Sequence, residues 1–197
     1  MEKSECAWAM KQPLEREYHD REWGRVQKSD AYLFEFLTLE GAQAGLSWYT
    51  ILKRREAYRI AFDHYDLDML AARDDNYADE VISEYDVVKH RGKICSVFNN
   101  ARAAKQLIEE YGSLERALWQ FVDHQVVINH WYSPDEIPTS TGASKAMSQF
   151  LKKKGFKFVG ETICYAFMQA VGMVNDHLVS CSFHQAVLLD CNNSEDL

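Results

Sequence analysis

The sequence has few of the residues that interrupt helices. Only three prolines and nine glycines occur in 197 residues, and no run alternates apolar and polar residues like a half-buried strand. There is also no internal repeat and no low-complexity linker. These absences favour an all-α protein, and a hydrophobic fraction of 47% suits one globular unit, or two lobes that share a core. We therefore treat residues 1–197 as a single all-α domain.

Membrane segments and a disulfide framework are also missing. No apolar run is long enough to span a bilayer, and the start Met1–Glu5 has no signal-peptide character. The expected location is the cytoplasm, with no membrane partner. Five cysteines, an odd number for a reducing compartment, argue against disulfides and for metal binding or burial.

The chain lacks an excess of positive charge. Its net charge of −8 weighs against a nucleic-acid partner, because affinity for DNA depends largely on neutralised phosphates. The cations are nevertheless grouped: residues 87–108 and 137–160 contain no acid, and each segment carries five lysines or arginines. Either segment alone is as readily a solvated helix face. Two such segments in an acidic chain predict an oriented basic field.

Apolar spacing predicts helices along most of the chain. Ser29 precedes one helix, and Ser47 is expected to cap a single helix over residues 48–62. Residues 127–141, with two of the prolines, are expected to form a loop. Further helical patterns cover residues 66–74, 77–85, 92–112 and 113–122.

Residues 141–172 have the pattern of a helix-hairpin-helix. Ser140 or Thr141 can cap the first helix, the turn "GFKFVG" has Gly155 and Gly160 at its edges, and "ETICYAFMQAVG" forms the second helix. Such a turn presents backbone N–H groups and a helix N-terminus to a phosphate, and Lys157 adds a positive charge. The alternative is an ordinary αα-hairpin without DNA.

Potential metal ligands lie near both ends of the chain. Cys6 and His19 are near the start, and His177 and Cys181 lie four residues apart near the end. Two cysteines and two histidines form the tetrahedral set that suits structural zinc, although four unrelated residues would look the same. Other cysteines and histidines leave alternatives open: His184 and Cys191 as competing ligands, and Cys95 and Cys164 as core thiols.

The stretch "LTLEGAQAGLSW" contains one acid, Glu40, among small and apolar residues. A buried carboxylate costs several kcal/mol unless something compensates it. Glu40 is therefore expected either to be exposed to water or to be compensated by a ligand that binds beside it.

Five stretches resemble the DNA-3-methyladenine glycosylase I family of bacterial repair enzymes. They are "EYHDREWG" at 17–24, "LEGAQAGLSW" at 39–48, "KHRGKI" at 89–94, "IPTST" at 137–141 and "GFKFVGETICYAFMQAVGMVNDH" at 155–177. The resemblance implies an all-helical helix-hairpin-helix DNA glycosylase fold. It also implies one structural zinc ion that joins segments 6–19 and 177–181 through Cys6, His19, His177 and Cys181.

The resemblance also implies a substrate and a set of roles. The substrate is double-stranded DNA with alkylated adenine, and free 3-methyladenine is the product; we expect a monomer in the bacterial cytosol. Glu40 accepts hydrogen bonds from the flipped base, and Trp48 stacks on it. The remaining roles are cleft walls (Tyr18, Trp8 and Trp23), close backbone approach to the base (Gly41 and Gly45), and DNA contacts (Gln43, Leu46, Gly155, Lys157 and Gly160).

Two features limit the chemistry. Asn175 stands where many other helix-hairpin-helix glycosylases carry a catalytic aspartate, and the adjacent Asp176 is an alternative base that the resemblance does not support. No lysine lies between Leu37 and Trp48, which disfavours a Schiff base and lyase activity. The competing hypotheses are a non-catalytic lesion- or DNA-binding module and a zinc-stabilised protein–protein domain.

Overall fold

The computed structural model describes residues 6–192, and this part of the chain is largely helical, as predicted. Thr141 caps the helix Gly142–Lys153 through a reciprocal capping box with Ser144. Short 3-10 turns occupy Ala7–Met10, Asp63–Tyr65, Gln120–Val122 and Pro134–Glu136. The helices are α1 (Pro13–Arg21), α2 (Asp30–Gln43), α3 (Trp48–Leu52), α4 (Arg55–Ala61), α5 (Leu67–Ala72), α6 (Tyr77–Glu84), α7 (Arg91–Tyr111), α8 (Leu114–Trp119), α9 (Gly142–Lys153), α10 (Glu161–Ala170) and α11 (Ser182–Asn192).

The core surrounds α2, in which every residue from 33 to 42 is buried. Helices α3, α7, α8 and α10 pack against α2, and α5 and α6 pack against α7. Helices α9 and α10 pack against each other as the two arms of the hairpin. No helix in the described residues is long and apolar enough to cross a membrane.

The expectation of a single helix over residues 48–62 is wrong. Ser47 does cap α3 by accepting from the Thr50 amide at 3.3 Å, but the chain turns before α4 begins. Arg55 lies at the start of α4 and inserts its guanidinium between two acids, with Nη1 2.7 Å from Glu22 Oε2 and Nε 2.7 Å from Glu35 Oε1. These partly buried ion pairs join residues that are distant in sequence, so local helical propensity cannot predict them.

Two very short strands were not predicted. β1 (Val127–Ile128) pairs in parallel with β2 (Val174–Asn175), and an isolated bridge joins Trp131 to Leu178. Two residues are too few for an alternating pattern to be recognised. The pairing holds the 129–138 segment against the region that contains His177.

Candidate functional site

A cleft of about 590 Å³ opens between α1, α2, the start of α3, α10 and the loop at 134–138. Its floor includes the buried residues Tyr18, Glu40 and Trp23, and its edge includes the exposed Lys11 and Ser47. The sequence-predicted residues Trp8, Gln43 and Trp48 also line it. The structure thus brings together residues from four separate segments of the chain.

Glu40 lies in this cleft as a buried acid without a partner. Its side chain is 5% exposed, and no other residue in the described part of the chain gives it a hydrogen bond or an ion pair. Burial raises the pKa of Glu40 to about 8, because a low-dielectric site disfavours the charged form. The cleft therefore holds a mostly neutral carboxyl group at pH 7.

Two further polar groups in the cleft also lack partners. The Tyr18 hydroxyl and the Trp48 indole N–H are buried and form no hydrogen bond. The two rings lie with centroids 5.4 Å apart, and Tyr18 stacks on Phe36 beneath it. Buried polar groups normally form hydrogen bonds. Three buried groups without partners in one cleft, from Glu40, Tyr18 and Trp48, therefore indicate a ligand with complementary groups.

Trp8 and Trp23 connect the cleft to a cluster of cysteines and histidines. Their rings meet edge to face with centroids 5.1 Å apart. Trp8 also meets the edge of His19 at 5.6 Å, and Trp23 meets His177 at 4.6 Å. One wall of the cleft consequently rests on the cluster.

The cluster consists of Cys6, His19, His177 and Cys181, all buried, with ligand atoms within 4.8 Å of one another. His177 Nδ1 lies 3.1 Å from His19 Nε2 and 3.8 Å from Cys181 Sγ, and the Cys181 sulfur lies 3.7 Å from His19 Nε2. A tetrahedral ion with bonds of about 2.0–2.3 Å would hold its ligands roughly 3.3–3.8 Å apart. The four residues could therefore hold one metal ion.

Outer hydrogen bonds orient both imidazoles of the cluster. His19 Nδ1 lies 2.8 Å from Asp20 Oδ1, and His177 Nε2 lies 3.2 Å from the Trp23 carbonyl. A proton on each of these nitrogens leaves the opposite nitrogen free to bind a metal. Hydrogen bonds with Cys6, His177 and His19 lower the pKa of the Cys181 thiol, while the hydrogen bond with Cys181 and burial raise the pKa of the Cys6 thiol. Cys181 is therefore the cluster sulfur that more readily forms the thiolate that metals bind.

The alternative ligands do not join the described cluster. His184 Nε2 instead lies 2.9 Å from the Asn129 carbonyl. Cys164 is buried, and its thiol donates to the Val159 carbonyl, while Cys95 is only half-buried. The side chain of Cys191 lies outside the described residues.

Asp176 is fully engaged in hydrogen bonds. Its Oδ1 accepts from Asn129 and Trp131 at 2.7 and 2.8 Å, and its Oδ2 accepts from Tyr165 and Gln169 at 2.6 and 2.8 Å. With four donors on a side chain that is 1% exposed, no lone pair remains for a substrate water. This geometry argues against Asp176 as the alternative base.

The Asn175 side chain is also buried and engaged. Its amide nitrogen donates to the His184 carbonyl, and its oxygen accepts from the His177 amide. Asn175 therefore supports the backbone beside the cluster and does not line the cleft.

The hairpin between α9 and α10 is held by α7. Asn100 forms a pair of bonds with the backbone of Lys157, accepting from its amide at 2.8 Å and donating to its carbonyl at 3.0 Å. Asn99 donates to the Gly155 carbonyl at 2.7 Å. Gly155 has φ +91°, which only glycine adopts without strain. The side chains of Lys157 and Phe158 are exposed.

Fewer hairpin amides are free than the sequence suggested. The amides of Gly155, Phe156 and Lys157 all donate within the protein. In the described part of the chain, the amides of residues 158–163, from the hairpin into the first turn of α10, donate to no other residue. The surface that can receive a phosphate is accordingly the second half of the hairpin around Gly160.

The first basic segment is mostly occupied by contacts within the protein. Arg91 pairs with Asp79, Arg102 donates to carbonyls at the end of α5, and Lys105 pairs with Asp68. In the second segment Lys154 pairs with Glu110. The described lysines without an ion pair in these two segments are Lys89, Lys93, Lys145, Lys152, Lys153 and Lys157. The predicted basic field is thus smaller than the sequence suggests.

Lys93 has a structural contact of its own. Its ammonium donates to the carbonyls of Ala42 and Ala44 at 2.9 and 2.8 Å. It holds the end of α2, where Gln43 and Leu46 lie; the Leu46 side chain is 41% exposed.

The two glycines that follow Glu40 both have structural roles, while the predicted approach of Gly45 to the base stays a prediction. A Cβ on Gly41 would lie 3.2 Å from the Phe158 carbonyl, so Gly41 allows the hairpin to pack closely on α2. Gly45 has φ +82°, and a Cβ there would meet nothing within 4 Å, so Gly45 permits the turn after α2. The expectation that Gly41 lets the backbone approach the base is wrong, because the hairpin occupies that side.

Comparisons with known proteins agree on one family. The family model described as methyladenine glycosylase matches residues 8–185. The chain belongs to the methyladenine glycosylase family. It is 47% identical over 176 residues to DNA-3-methyladenine glycosylase 1 of Escherichia coli (strain K12), covering 89% of this chain and 94% of that protein.

Solved structures extend the likeness to the fold of this methyladenine glycosylase family member. A crystal structure of 3-methyladenine DNA glycosylase I has a TM-score of 0.87 at 46% identity, covering 91% of this chain and 98% of that one. A variant of a 3-methyladenine DNA glycosylase I in complex with 3-methyladenine also has a TM-score of 0.87, at 32% identity, over 90% and 95% of the two chains. The predicted fold class is confirmed.

Some residues of the methyladenine glycosylase cleft were missed in the sequence. Glu15, Lys11 and Gln169 line it, as does the loop from Pro134 to Pro138. Glu15 lies one helical turn before Tyr18 and shares its face of α1, a spacing visible in the sequence. Gln169 and the loop gave no comparable signal, because tertiary packing alone brings them to the cleft.

Proposed function

We propose that the protein is a monofunctional DNA repair glycosylase that flips N3-methyladenine out of the duplex and releases it by hydrolysis, leaving an abasic site. The observation that carries this proposal is the unpartnered, buried Glu40 beside the unpartnered Tyr18 hydroxyl and Trp48 N–H. Such a cleft suits a flat, electron-poor base with both donors and acceptors. The names of the protein's relatives indicate the same substrate.

The proposed mechanism relies more on recognition of the methylated base than on acid–base assistance to cleavage of the glycosidic bond. An adenine nucleotide methylated at N3 is cationic, so its glycosidic bond is already weakened. Flipping a damaged base costs a few kcal/mol, less than flipping an intact one. Stacking on Trp48 contributes roughly 1–3 kcal/mol. Glu40 accepts hydrogen bonds from the base and stabilises positive charge on the sugar as the bond breaks.

The proposed cofactor is one zinc ion held by Cys6, His19, His177 and Cys181. The donor set and the spacing of its atoms fit this ion. With four protein ligands the site is closed, so zinc would supply folding free energy and no catalytic water. The ion would support Trp8 and Trp23 from behind and so shape the base-binding wall.

The proposed substrate is double-stranded DNA, acted on by a monomer in the bacterial cytosol. Gly155 and Gly160 frame the hairpin that receives a phosphate, and Lys157 adds positive charge beside it. Gln43, which lines the cleft, and Leu46, which follows three residues later, are proposed to enter the gap that the flipped nucleotide leaves. The exposure of the Leu46 side chain supports that role.

Base release is the experiment that tests the proposal. Duplex DNA treated with a methylating agent is incubated with the protein, and released bases are separated by chromatography. We expect 3-methyladenine in the supernatant and abasic sites in the DNA, without strand cleavage. Binding of methylated DNA without base release would instead support the non-catalytic module, and an absence of DNA affinity would support the protein–protein domain.

We expect Lys157→Glu to weaken binding to intact and methylated duplex by a similar factor. Lys157 is exposed on the hairpin, so its loss removes a phosphate contact that carries no sequence information. Each lost contact lowers the slope of log affinity against log salt by about 1. Fluorescence anisotropy at several salt concentrations measures both effects, with Lys28→Glu as a control of equal charge change. A change in lesion selectivity alone would contradict the assignment.

We expect Trp48→Ala to lower affinity for free 3-methyladenine about 10- to 100-fold, the equivalent of the stacking energy. Tryptophan fluorescence from Trp8 and Trp23 follows the titration in the absence of Trp48. Trp119 is fully buried and does not line the cleft, and a conservative Trp119→Phe variant controls for general loss of packing. Unchanged affinity in Trp48→Ala would show that Trp48 is only a core aromatic.

A further inference from the structure

We propose that Glu15 is a second catalytic carboxylate in the cleft, which binds the attacking water and takes its proton. This inference rests on the proposed function and deepens it. Glu15 is 7% exposed and lines the same cleft as Glu40. In the described part of the chain it forms no hydrogen bond and no ion pair.

A buried, unpartnered acid is costly, and nothing in the packing of α1 requires one at this position. Tyr18 and His19 lie on the same face of α1, one turn further along, and both are buried. An apolar residue at position 15 would pack there without a desolvation penalty. An acid that faces the cleft is explained if it has a partner during the reaction.

The other acids near the cleft are committed elsewhere. Glu15 and Glu40 are the acids that line it among the described residues. Glu40 is assigned to the base, and burial raises its pKa to about 8. Asp176 accepts four hydrogen bonds within the protein. Glu15 is therefore the carboxylate that is free to accept a proton from water.

Along the chain, Glu15 lies between Tyr18 on the floor of the cleft and Lys11 at its edge. Tyr18 on the floor is one helical turn away in one direction, and the exposed Lys11 at the edge is four residues away in the other. A flipped base enters deepest, and its sugar remains closer to the mouth, where it joins the DNA backbone. This placement separates recognition of the base by Glu40 from activation of water near the sugar by Glu15.

The step balances in atoms and electrons. The bond between C1′ of the sugar and N9 of the base breaks, and its electron pair stays on the base, which leaves as neutral 3-methyladenine. The oxygen of water forms a bond to C1′, and one of its protons passes to the Glu15 carboxylate. Solvent then takes the proton from Glu15, so no further reactant is needed.

Single-turnover excision from methylated duplex tests this role. We expect Glu15→Gln to slow release of 3-methyladenine on the order of 10²-fold and to leave affinity for the free base within about twofold of wild type. Glu15→Asp keeps a carboxylate that is one methylene shorter and should be intermediate. Glu17→Gln, an exposed acid on the same helix that pairs with Arg21, is the matched control and should excise at the wild-type rate.

Added azide distinguishes a residue that takes a proton from water from one that is only structural. Azide attacks C1′ without losing a proton, so it does not need a general base. We expect added azide to restore excision by Glu15→Gln, with a sugar azide as product, and not by Glu40→Gln. An unchanged rate in Glu15→Gln, an equal loss of base affinity, or a failure of azide to restore excision would each overturn the inference. If wild-type protein releases no 3-methyladenine, the proposed function itself fails; wild-type release with an unaffected Glu15→Gln overturns only the role of Glu15.

Discussion

Glu40→Gln is expected to slow excision of 3-methyladenine on the order of 10²-fold while making the free protein more stable. The amide keeps one acceptor oxygen but places an NH₂ group where the base also donates, and it cannot lose a proton to become the carboxylate that would stabilise the developing cation. Because the methylated base leaves readily, excision should persist at a reduced rate. Single-turnover excision and fluorescence titration with free 3-methyladenine measure the loss of rate and of affinity.

The gain in stability follows from the raised pKa of Glu40. Burial holds this pKa at about 8 in the folded protein, against about 4.3 in an unfolded chain. The folded state therefore binds the proton more tightly, and the wild-type protein loses stability as the pH rises from roughly 4.5 to 8.

Glu40→Gln lacks that ionisation, so it should exceed wild type in free energy of unfolding by roughly 3–4 kcal/mol at pH 7. Urea denaturation at several pH values checks this, with Glu17→Gln as the exposed control. Equal stability at pH 5 and pH 8.5 in both proteins, together with wild-type excision, would mean that Glu40 is an ordinary surface acid.

Loss of the metal ligands is expected to have the largest effect on folding. Replacing Cys6 and Cys181 together by serine removes both thiolates of the cluster, and metal binding at a closed site is folding free energy. We expect the purified wild-type protein to carry one zinc ion per chain and the double variant to carry none. The midpoint of thermal unfolding should fall by about 10 °C or more.

Elemental analysis and thermal unfolding, with and without a chelator, measure these effects. Cys95→Ser is the matched control, since Cys95 lies half-buried outside the cluster, and it should keep both metal and stability. Wild-type protein purified without chelator that contains no zinc would contradict the assignment, as would full stability of the double variant.

The sequence predicts the helices and the cap at Thr141 because these depend on local spacing and side-chain chemistry. It does not predict the break after α3, because Arg55 is drawn to Glu22 and Glu35, which are distant in sequence. The strands β1 and β2 are too short to carry a pattern. In each case the deciding contact joins residues that are far apart along the chain.

The candidate site divides in the same way. Glu40 was noticeable in the sequence as a single acid among small and apolar residues, and the four residues of the cluster were noticeable as potential ligands. The sequence did not show that Asp176 accepts four hydrogen bonds, or that Asn100 binds the backbone of the hairpin. A residue type does not reveal its partners. Glu15 falls between the two cases: its spacing from Tyr18 was visible, but its burial was not.

The burial of the cluster thiols has a consequence for a cell under chemical attack. Reagents that methylate DNA also methylate sulfur nucleophiles, so an enzyme needed during such exposure is itself a target. Cys6 and Cys181 are each 3% exposed, whereas Cys95 is half-buried at the surface of α7. Among the cysteines whose side chains the structure describes, Cys95 is the most accessible, and it lies away from the cluster and the cleft. Burial, and not low reactivity, would therefore protect the two cluster thiols from the agent whose damage the protein repairs.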